Sequence, residues 1–232
     1  VSTRPSDAVA TLLGQRIKAP TSAVERVADV LREQIVDGAL RPGTQLTEES
    51  LSTAMRVSRN TVREAYSLLI GERIAVRVPN RGVFVAAPDV AAITDLYAVR
   101  ALLEPAALRW GPGLDERAVA GLRADVTEAQ RCREAHDWVG VASENQHFHR
   151  HVVAVGGSER LSTIFATVLA EMRLVFHEAG GPFHAPFVDQ NVHIVELLEQ
   201  GHREAAAEEL TRYLSDACAA LISAVSKPPS HG

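Results

Sequence analysis

The sequence predicts a mainly α-helical chain in two unequal parts: a small N-terminal part whose helices end in a β-hairpin, and an all-helical bundle behind it. Three stretches carry that prediction. Leu46 to Ile74, LTEESLSTAMRVSRNTVREAYSLLIGERI, reads as two short helices joined by a tight turn. Directly after Gly71 comes IAVRVPNRGVFVA, two β-branched runs around Pro79-Asn80-Arg81-Gly82, the pattern of a hairpin. From Asp89 onward apolar residues recur at helical spacing, with no alternating run long enough for a sheet, so a bundle follows.

Residues 1–21 have scattered Pro, Ser and Gly with a short apolar patch at Val9 to Leu13, and read as an arm. The first helix is expected from about Ser22 to Asp37, with Val24, Val27, Leu31 and Ile35 in one stripe and Gly38 as its stop. Thr47 is placed to N-cap the next helix with its side chain, with Glu48 and Glu49 in the positively polarised first turn and Leu46 stapled to Leu51. Ser58 repeats the device, and Val57 can staple to Val62. In the second helix Val62, Ala65, Tyr66 and Leu69 fall at core spacing, which leaves Arg59, Asn60 and Arg63 outside at its N-terminal end. Ala86-Ala87-Pro88-Asp89 is the expected linker. Bundle helices are expected at about 89–110, 115–135, 137–155, 158–179, 187–200 and 202–225, separated by Gly-Pro-Gly, Gly156-Gly157, Gly180-Gly181-Pro182 and Gly201. The domains are then 22–87 and 88–227, with a tail at 228–232.

At 232 residues and 46% hydrophobic content the chain can bury two cores. No apolar run approaches the roughly 18 residues of a membrane span, and the N-terminus lacks the order of a secretory signal, so a cytoplasmic protein with no membrane partner is expected. Cys132 and Cys218 lie in alanine-rich, helical surroundings and read as reduced thiols, not a disulfide framework. The net charge of −5 is unevenly spread: residues 1–88 carry 12 Lys+Arg against 9 Asp+Glu, and the remaining 144 carry 12 against 20. Between Arg56 and Val85 six arginines face only Glu64 and Glu72. That balance suits contact with phosphate, whereas the acidic remainder would be repelled by DNA.

The helix pair is a helix-turn-helix, and its second helix carries the residue types that read a major groove. Arginine can hold guanine O6 and N7 with two hydrogen bonds, and asparagine can hold adenine N6 and N7. A hairpin after such a helix, tipped by Arg81 and Gly82, has the form of a wing whose arginine can enter the minor groove while the glycine lets the backbone approach. The candidate DNA-binding residues are Ser58, Arg59, Asn60, Thr61, Arg63, Arg81 and Gly82; the alternative is a solvated helical face.

These residues carry a resemblance. Residues 23 to 87 resemble the DNA-binding domain of the GntR family of bacterial transcription regulators in the Leu40 to Gly43 turn, the VSR-x-x-VRE run at Val57 to Glu64 and the Arg81-Gly82 tip. Asn60-Thr61 departs from the Thr-Pro common in that family, which bears on operator sequence.

In the bundle the apolar stripes each include a polar residue: Asn145 with His149 beside it among Val141, Phe148, Val152 and Val155; Asn191 among Val188, Val195 and Leu198; Tyr213 among Ala206, Leu210 and Ala217. Buried and unsatisfied, such groups cost roughly 1–3 kcal/mol each, so they must bond each other, water or a ligand. Residues 90 to 225 resemble the FCD effector domain of the FadR subfamily of GntR regulators, in VRALLEPAAL at Val99 to Leu108, FHRHVVAVGGSERL at Phe148 to Leu161 and the alanine-rich last helix after Gly201. In that subfamily an Asp, a His one turn later and two further histidines often bind a divalent metal that helps to hold a carboxylate effector. By position these fall on Asn145, His149, Asn191 and Tyr213, so one ligand of four remains and no metal cofactor is expected at His149. His147, His151, His177 and His193 are the spare histidines that could rebuild a site.

Arg100 is the main candidate for holding an anionic effector, since it shares a helical face with Ile93, Tyr97 and Glu104; its alternative is an intrahelical pair with Glu104. Pro105 is expected to kink the same helix, and Arg173 is a second cation candidate. The effector-binding set is thus Arg100, Asn145, His149, Arg173, Asn191 and Tyr213. The resemblance implies a homodimer on an inverted-repeat operator, more often a repressor than an activator, controlled by a small carboxylate or acyl effector. The alternatives are a DNA-binding protein that needs no effector and a histidine-containing helical metalloenzyme. No HExxH, nucleophile elbow or glycine-rich phosphate loop supports an enzyme.

Overall fold

A computed structural model of the chain describes residues 22–36, 39–179 and 181–226. The arm at 1–21, the Gly38 stop and the tail at 228–232 lie outside the described residues.

The first domain opens with α1 (Ala23–Val36). A reciprocal cap starts it: the Glu25 amide donates to Ser22 Oγ at 3.1 Å, and the Ser22 amide donates to Glu25 Oε2 at 2.8 Å. Val27, Leu31 and Ile35 are buried as the stripe predicts. The turn after it needs Gly43, at φ +78°, and closes through the Thr44 amide donating to the Arg41 carbonyl at 3.0 Å. Then follow β1 (Gln45–Leu46), α2 (Glu48–Met55), α3 (Arg59–Gly71), β2 (Ala75–Val78) and β3 (Gly82–Val85). The sheet is antiparallel in the order β1-β3-β2, with Leu46 opposite Val83 and Val76 opposite Phe84. The hairpin is therefore present, and β1 is a third strand that sequence reasoning missed. Tyr66 ties α3 to β1 by donating to the Leu46 carbonyl at 2.9 Å.

The second domain is a bundle of α4 (Val90–Trp110), α5 (Glu116–Glu134), α6 (Trp138–Ala154), α7 (Glu159–Ala179), α8 (Val188–Glu199) and α9 (Arg203–Val225). Each expected helix forms within a residue or two of its expected ends. Asp89, Asp115 and Asp137 cap α4, α5 and α6 by accepting from the amides of Ala92, Ala118 and Gly140 at 2.8–2.9 Å. α4 continues through Pro105. One expectation is corrected: the Gly181-Pro182 separator opens a 3₁₀ segment, Gly181–Phe187, which places His184 in the interior at 3% exposure. Arg203 reaches across the bundle to donate to the carbonyls of Leu108 and Gly111 at 2.8 Å, satisfying the end of α4.

The two domains meet along α7. Leu174, 1% exposed, packs into the core of the first domain with Ala170, while Phe165, Leu169, Met172 and Val175 of the same helix belong to the bundle core. No helix among the described residues is long and apolar enough to cross a membrane.

Candidate functional site

Two sites are built by this fold, one on the surface of the first domain and one inside the second. On the surface, α2 ends at Arg56 in the left-handed conformation, φ +54°, and α3 restarts at Ser58. The Thr61 amide donates to Ser58 Oγ at 3.0 Å, so the predicted cap is present. The matching cap at Thr47 is not: its backbone has N-cap geometry, but the hydroxyl donates to Ser50 Oγ at 2.8 Å and no backbone amide reaches it. The Ser50 hydroxyl, not the Ser50 amide at N3, takes the Thr47 side chain, so the expected cap is replaced by a side-chain pair.

Val62, Ala65, Tyr66 and Leu69 are buried, and Arg59, Asn60 and Arg63 stand exposed at the start of α3. None points into empty solvent alone. Arg63 Nε donates to Glu48 Oε1 at 2.8 Å, Arg59 Nη2 lies 3.4 Å from Glu49, and Asn60 Nδ2 donates to Glu64 Oε1 at 2.6 Å. The Arg63 hydrogen bond holds the Glu48 carboxyl below its ordinary range. The acidic first turn of α2, read in the sequence as helix-dipole stabilisation, thus also orients the arginines of α3. Such exposed pairs are weak and screened by salt, so a phosphate or a base edge can displace them.

At the wing tip Gly82 adopts φ +107°, Asn80 φ +61°, and Gln45 Nε2 of β1 donates to the Arg81 carbonyl at 2.7 Å. The Arg81 guanidinium lies 5.6 Å from the centre of the Phe84 ring. Ser58 and Thr61 share a 2.8 Å hydroxyl contact and act locally as the cap.

Inside the bundle, the structure brings Arg100, Asn145, His149, Asn191 and Tyr213 into one buried network. Arg100 Nε donates to Glu104 Oε1 at 2.7 Å, and the other oxygen of Glu104 lies 2.5 Å from His149 Nδ1. His149 Nε2 is 3.0 Å from Tyr213 Oη, which is 3.0 Å from Asn145 Oδ1; Asn191 Nδ2 donates to the same Oδ1 at 3.0 Å. The Arg100 guanidinium also lies 4.9 Å from the Tyr97 ring centre.

Burial would raise the Glu104 carboxyl, but Arg100 and His149 outweigh it and hold it low, so it is ionised. Burial lowers His149 and Arg100 adds to that, against the opposing pull of Glu104, so the imidazole is neutral. Neutral His149 then donates from Nδ1 to Glu104, and Tyr213 Oη donates to Asn145 Oδ1, which also accepts from Asn191.

The metal ligand set implied by the resemblance does not fit these residues. Asn145, Asn191 and an un-ionised Tyr213, whose hydroxyl is pushed well up by burial, are poor donors, and both His149 nitrogens already have partners.

Sequence reasoning missed two parts of the site. Glu104 joins Arg100 to His149; its i+4 spacing from Arg100 was visible, but its bond to His149 was not. His184 sits at 4.2 Å, edge-on, from Phe176 and touches Phe183; burial, then His149, Arg100 and Arg173, push it down to about 3. Four buried polar atoms in this region lack a hydrogen-bond partner: Arg100 Nη2, both His184 nitrogens and Asn191 Oδ1. Arg173 acts on His184 by its charge but takes its hydrogen bonds outside the network. It donates to Gln146 Oε1 at 3.1 Å and Ser143 Oγ at 3.3 Å, and lines a cavity of about 160 Å³ between the domains with Arg32, Ile74 and Leu174. Of the spare histidines, His193 pairs with Glu196 at 3.7 Å on α8, and the His177 side chain lies outside the described residues.

Comparison with known proteins matches both parts of the chain. Residues 23–85 match the family "Bacterial regulatory proteins, gntR family", and residues 95–216 match the FCD domain. A solved GntR chain from Rhodococcus sp. RHA1 is 37% identical and superposes with a TM-score of 0.80 over 88% of this chain and 99% of its own. An HTH-type transcriptional regulator in an unstable DNA locus of Streptomyces ambofaciens is 28% identical over 190 residues, 79% of this chain and 78% of that one. The gluconate operon transcriptional repressor of Bacillus subtilis is 40% identical over 79 residues, 34% of this chain and 32% of that one. A winged helix-turn-helix joined to an FCD bundle makes the chain a transcription regulator: it belongs to the GntR family of bacterial regulators that carry an FCD domain.

Proposed function

We propose that the protein is a repressor whose homodimer holds an inverted-repeat operator, and whose grip is released when a small acid or acyl compound binds inside the bundle. The observation that carries the ligand site is the set of unpartnered buried atoms, Arg100 Nη2, His184 Nδ1 and Nε2, and Asn191 Oδ1. Each costs roughly 1–3 kcal/mol when left unbonded, and a ligand recovers that free energy. The chemistry of the vacant partners sets the class. A hydrogen-bond-accepting head suits Arg100 Nη2 and His184, and an apolar body suits Phe176, Phe183 and Phe187. Asn145, His149 and Tyr213 orient the head through the network, without a metal.

On the DNA side, Arg59, Asn60 and Arg63 enter the major groove and Arg81 the adjacent minor groove, with Gly82 close to the backbone and Ser58 and Thr61 fixing the start of α3. A second copy suits the apolar groove between α4 and α9, lined by Tyr97, Ala101, Leu214 and Ile222, beside Leu102 at 74% exposure. Coupling runs through α7, since Phe176 packs on His184 while Leu174 is buried in the DNA-binding domain. A ligand that moves His184 therefore acts on the helix that holds the wing domain.

Native mass spectrometry of the purified protein, with DNA selection from random fragments, tests the reading. A dimer that selects an inverted repeat and carries or takes up an organic acid supports it. A dimer that selects DNA but takes up no member of a panel of mono- and dicarboxylates is a constitutive DNA-binding protein instead.

A further inference from the structure

α6 has a second polar stripe on the side away from Asn145. Glu144, His147 and His151 stand three and four residues apart, so they share one helical face. That face meets α5 at Asp125, a carboxylate in the middle of a helix with only 9% of its side chain exposed. Ligand atoms of Asp125, Glu144 and His147 all lie within 4.8 Å of one another. His147 Nδ1 is 3.3 Å from Glu144 Oε2, and His151 Nδ1 is 2.5 Å from Asp125 Oδ2. The charged groups that act on Asp125 are His151, His147 and Glu144.

We propose that Asp125, Glu144 and His147 form a site for a divalent first-row transition cation, with His151 as the residue that orients Asp125. Three features support a cation over a set of internal pairs. The cluster gathers two carboxylates, one of them nearly buried, which are costly to leave uncompensated. A tetrahedral ion with bonds of about 2.0–2.1 Å separates its ligands by about 3.3–3.4 Å, and His147 and Glu144 already stand at that spacing. Burial grades outward, from Asp125 at 9% through Glu144 at 19% to His147 at 45% of the side chain exposed, so the protein supplies an inner wall and leaves a position open to water. One imidazole and two carboxylates suit Zn²⁺, Mn²⁺ or Ni²⁺. The ion ties α5 to α6, the helix that presents Asn145 and His149 on its other face. This site is independent of the interior network and of any effector.

Equilibrium dialysis of the full-length protein against Zn²⁺, with elemental analysis and the visible spectrum of the Co²⁺-loaded protein, tests the assignment. One ion per chain is expected. Glu144→Gln and His147→Ala, both on the outer side and free to change without disturbing a core, each lower affinity by about 100-fold or more, and His151→Ala lowers it about ten-fold. Asn191→Ala, in the interior network, leaves uptake unchanged. The assignment is overturned if the wild-type protein takes up no ion, if Glu144→Gln and His147→Ala bind as well as wild type, or if Asn191→Ala alone abolishes uptake. In the last case the ion belongs to the interior cluster.

Discussion

Arg100 and Glu104 form a salt bridge of 2.7 Å in which neither side chain is more than 2% exposed. An ion pair this deep gains little over apolar packing but cannot lose one partner cheaply. Glu104→Ala, which strands the guanidinium, should cost about 3–5 kcal/mol of stability, measured by urea unfolding. The double change Arg100→Met with Glu104→Leu should recover most of that loss while abolishing ligand response. If the double variant still responds to ligand, the pair has only a structural role.

The buried His184 gives the protein an acid-sensitive interior. Its folded-state value of about 3 lies below its ordinary 6.5, so the unfolded chain binds the extra proton between those values. Its contribution to stability is complete above pH 6.5 and is lost as pH falls toward 3, with a slope of about 1.4 kcal/mol per pH unit. His184→Phe should flatten that part of the stability profile, followed by thermal unfolding in buffers across the window. A carboxylate bound beside His184 should raise its affinity for protons, so calorimetry in buffers of different ionisation enthalpy should show proton uptake on binding.

How far the sequence could be read follows from how local each feature is. Ser58 capping α3 and the Asp89, Asp115 and Asp137 starts depend on residues three positions away, and the apolar stripes repeat within one helix. These were legible, as was the inward placement of Asn145, Asn191 and Tyr213. β1 is two residues long and has no period of its own; only its pairing with β3 makes it a strand. Glu104 with His149 spans 45 residues, and Asp125 with His151 spans 26, so neither pairing is written in a spacing. His184 is buried because a 3₁₀ segment folds under Phe176, which glycine and proline punctuation could mark only as a break.

On the DNA face, Arg63→Ala should weaken operator binding about ten-fold and relax base preference at one position, the effect that the proposed bidentate base contact predicts. Arg81→Ala should reduce the slope of log affinity against log salt by about one. Glu48→Gln should act in the opposite direction, because it frees Arg63 from its 2.8 Å partner before DNA arrives. Fluorescence anisotropy on a selected operator at several salt concentrations measures all three.

Leu174 belongs to a bundle helix but is buried in the core of the DNA-binding domain at 1% exposure. Leu174→Ala should destabilise the protein by about 2–5 kcal/mol. Its more telling effect is on cooperativity: calorimetry should resolve two transitions where the wild type shows one, because the joint between the domains has been emptied.

The central claim is that a ligand in the FCD interior controls DNA affinity, and the direct measurement is an operator titration with and without small carboxylates of apolar or aromatic body. The account predicts that at least one lowers operator affinity ten-fold or more in the wild type. It further predicts that His184→Phe and Asn191→Ala bind operator normally and lose that response. Operator affinity that no such compound changes, or a response that survives both substitutions, would contradict it.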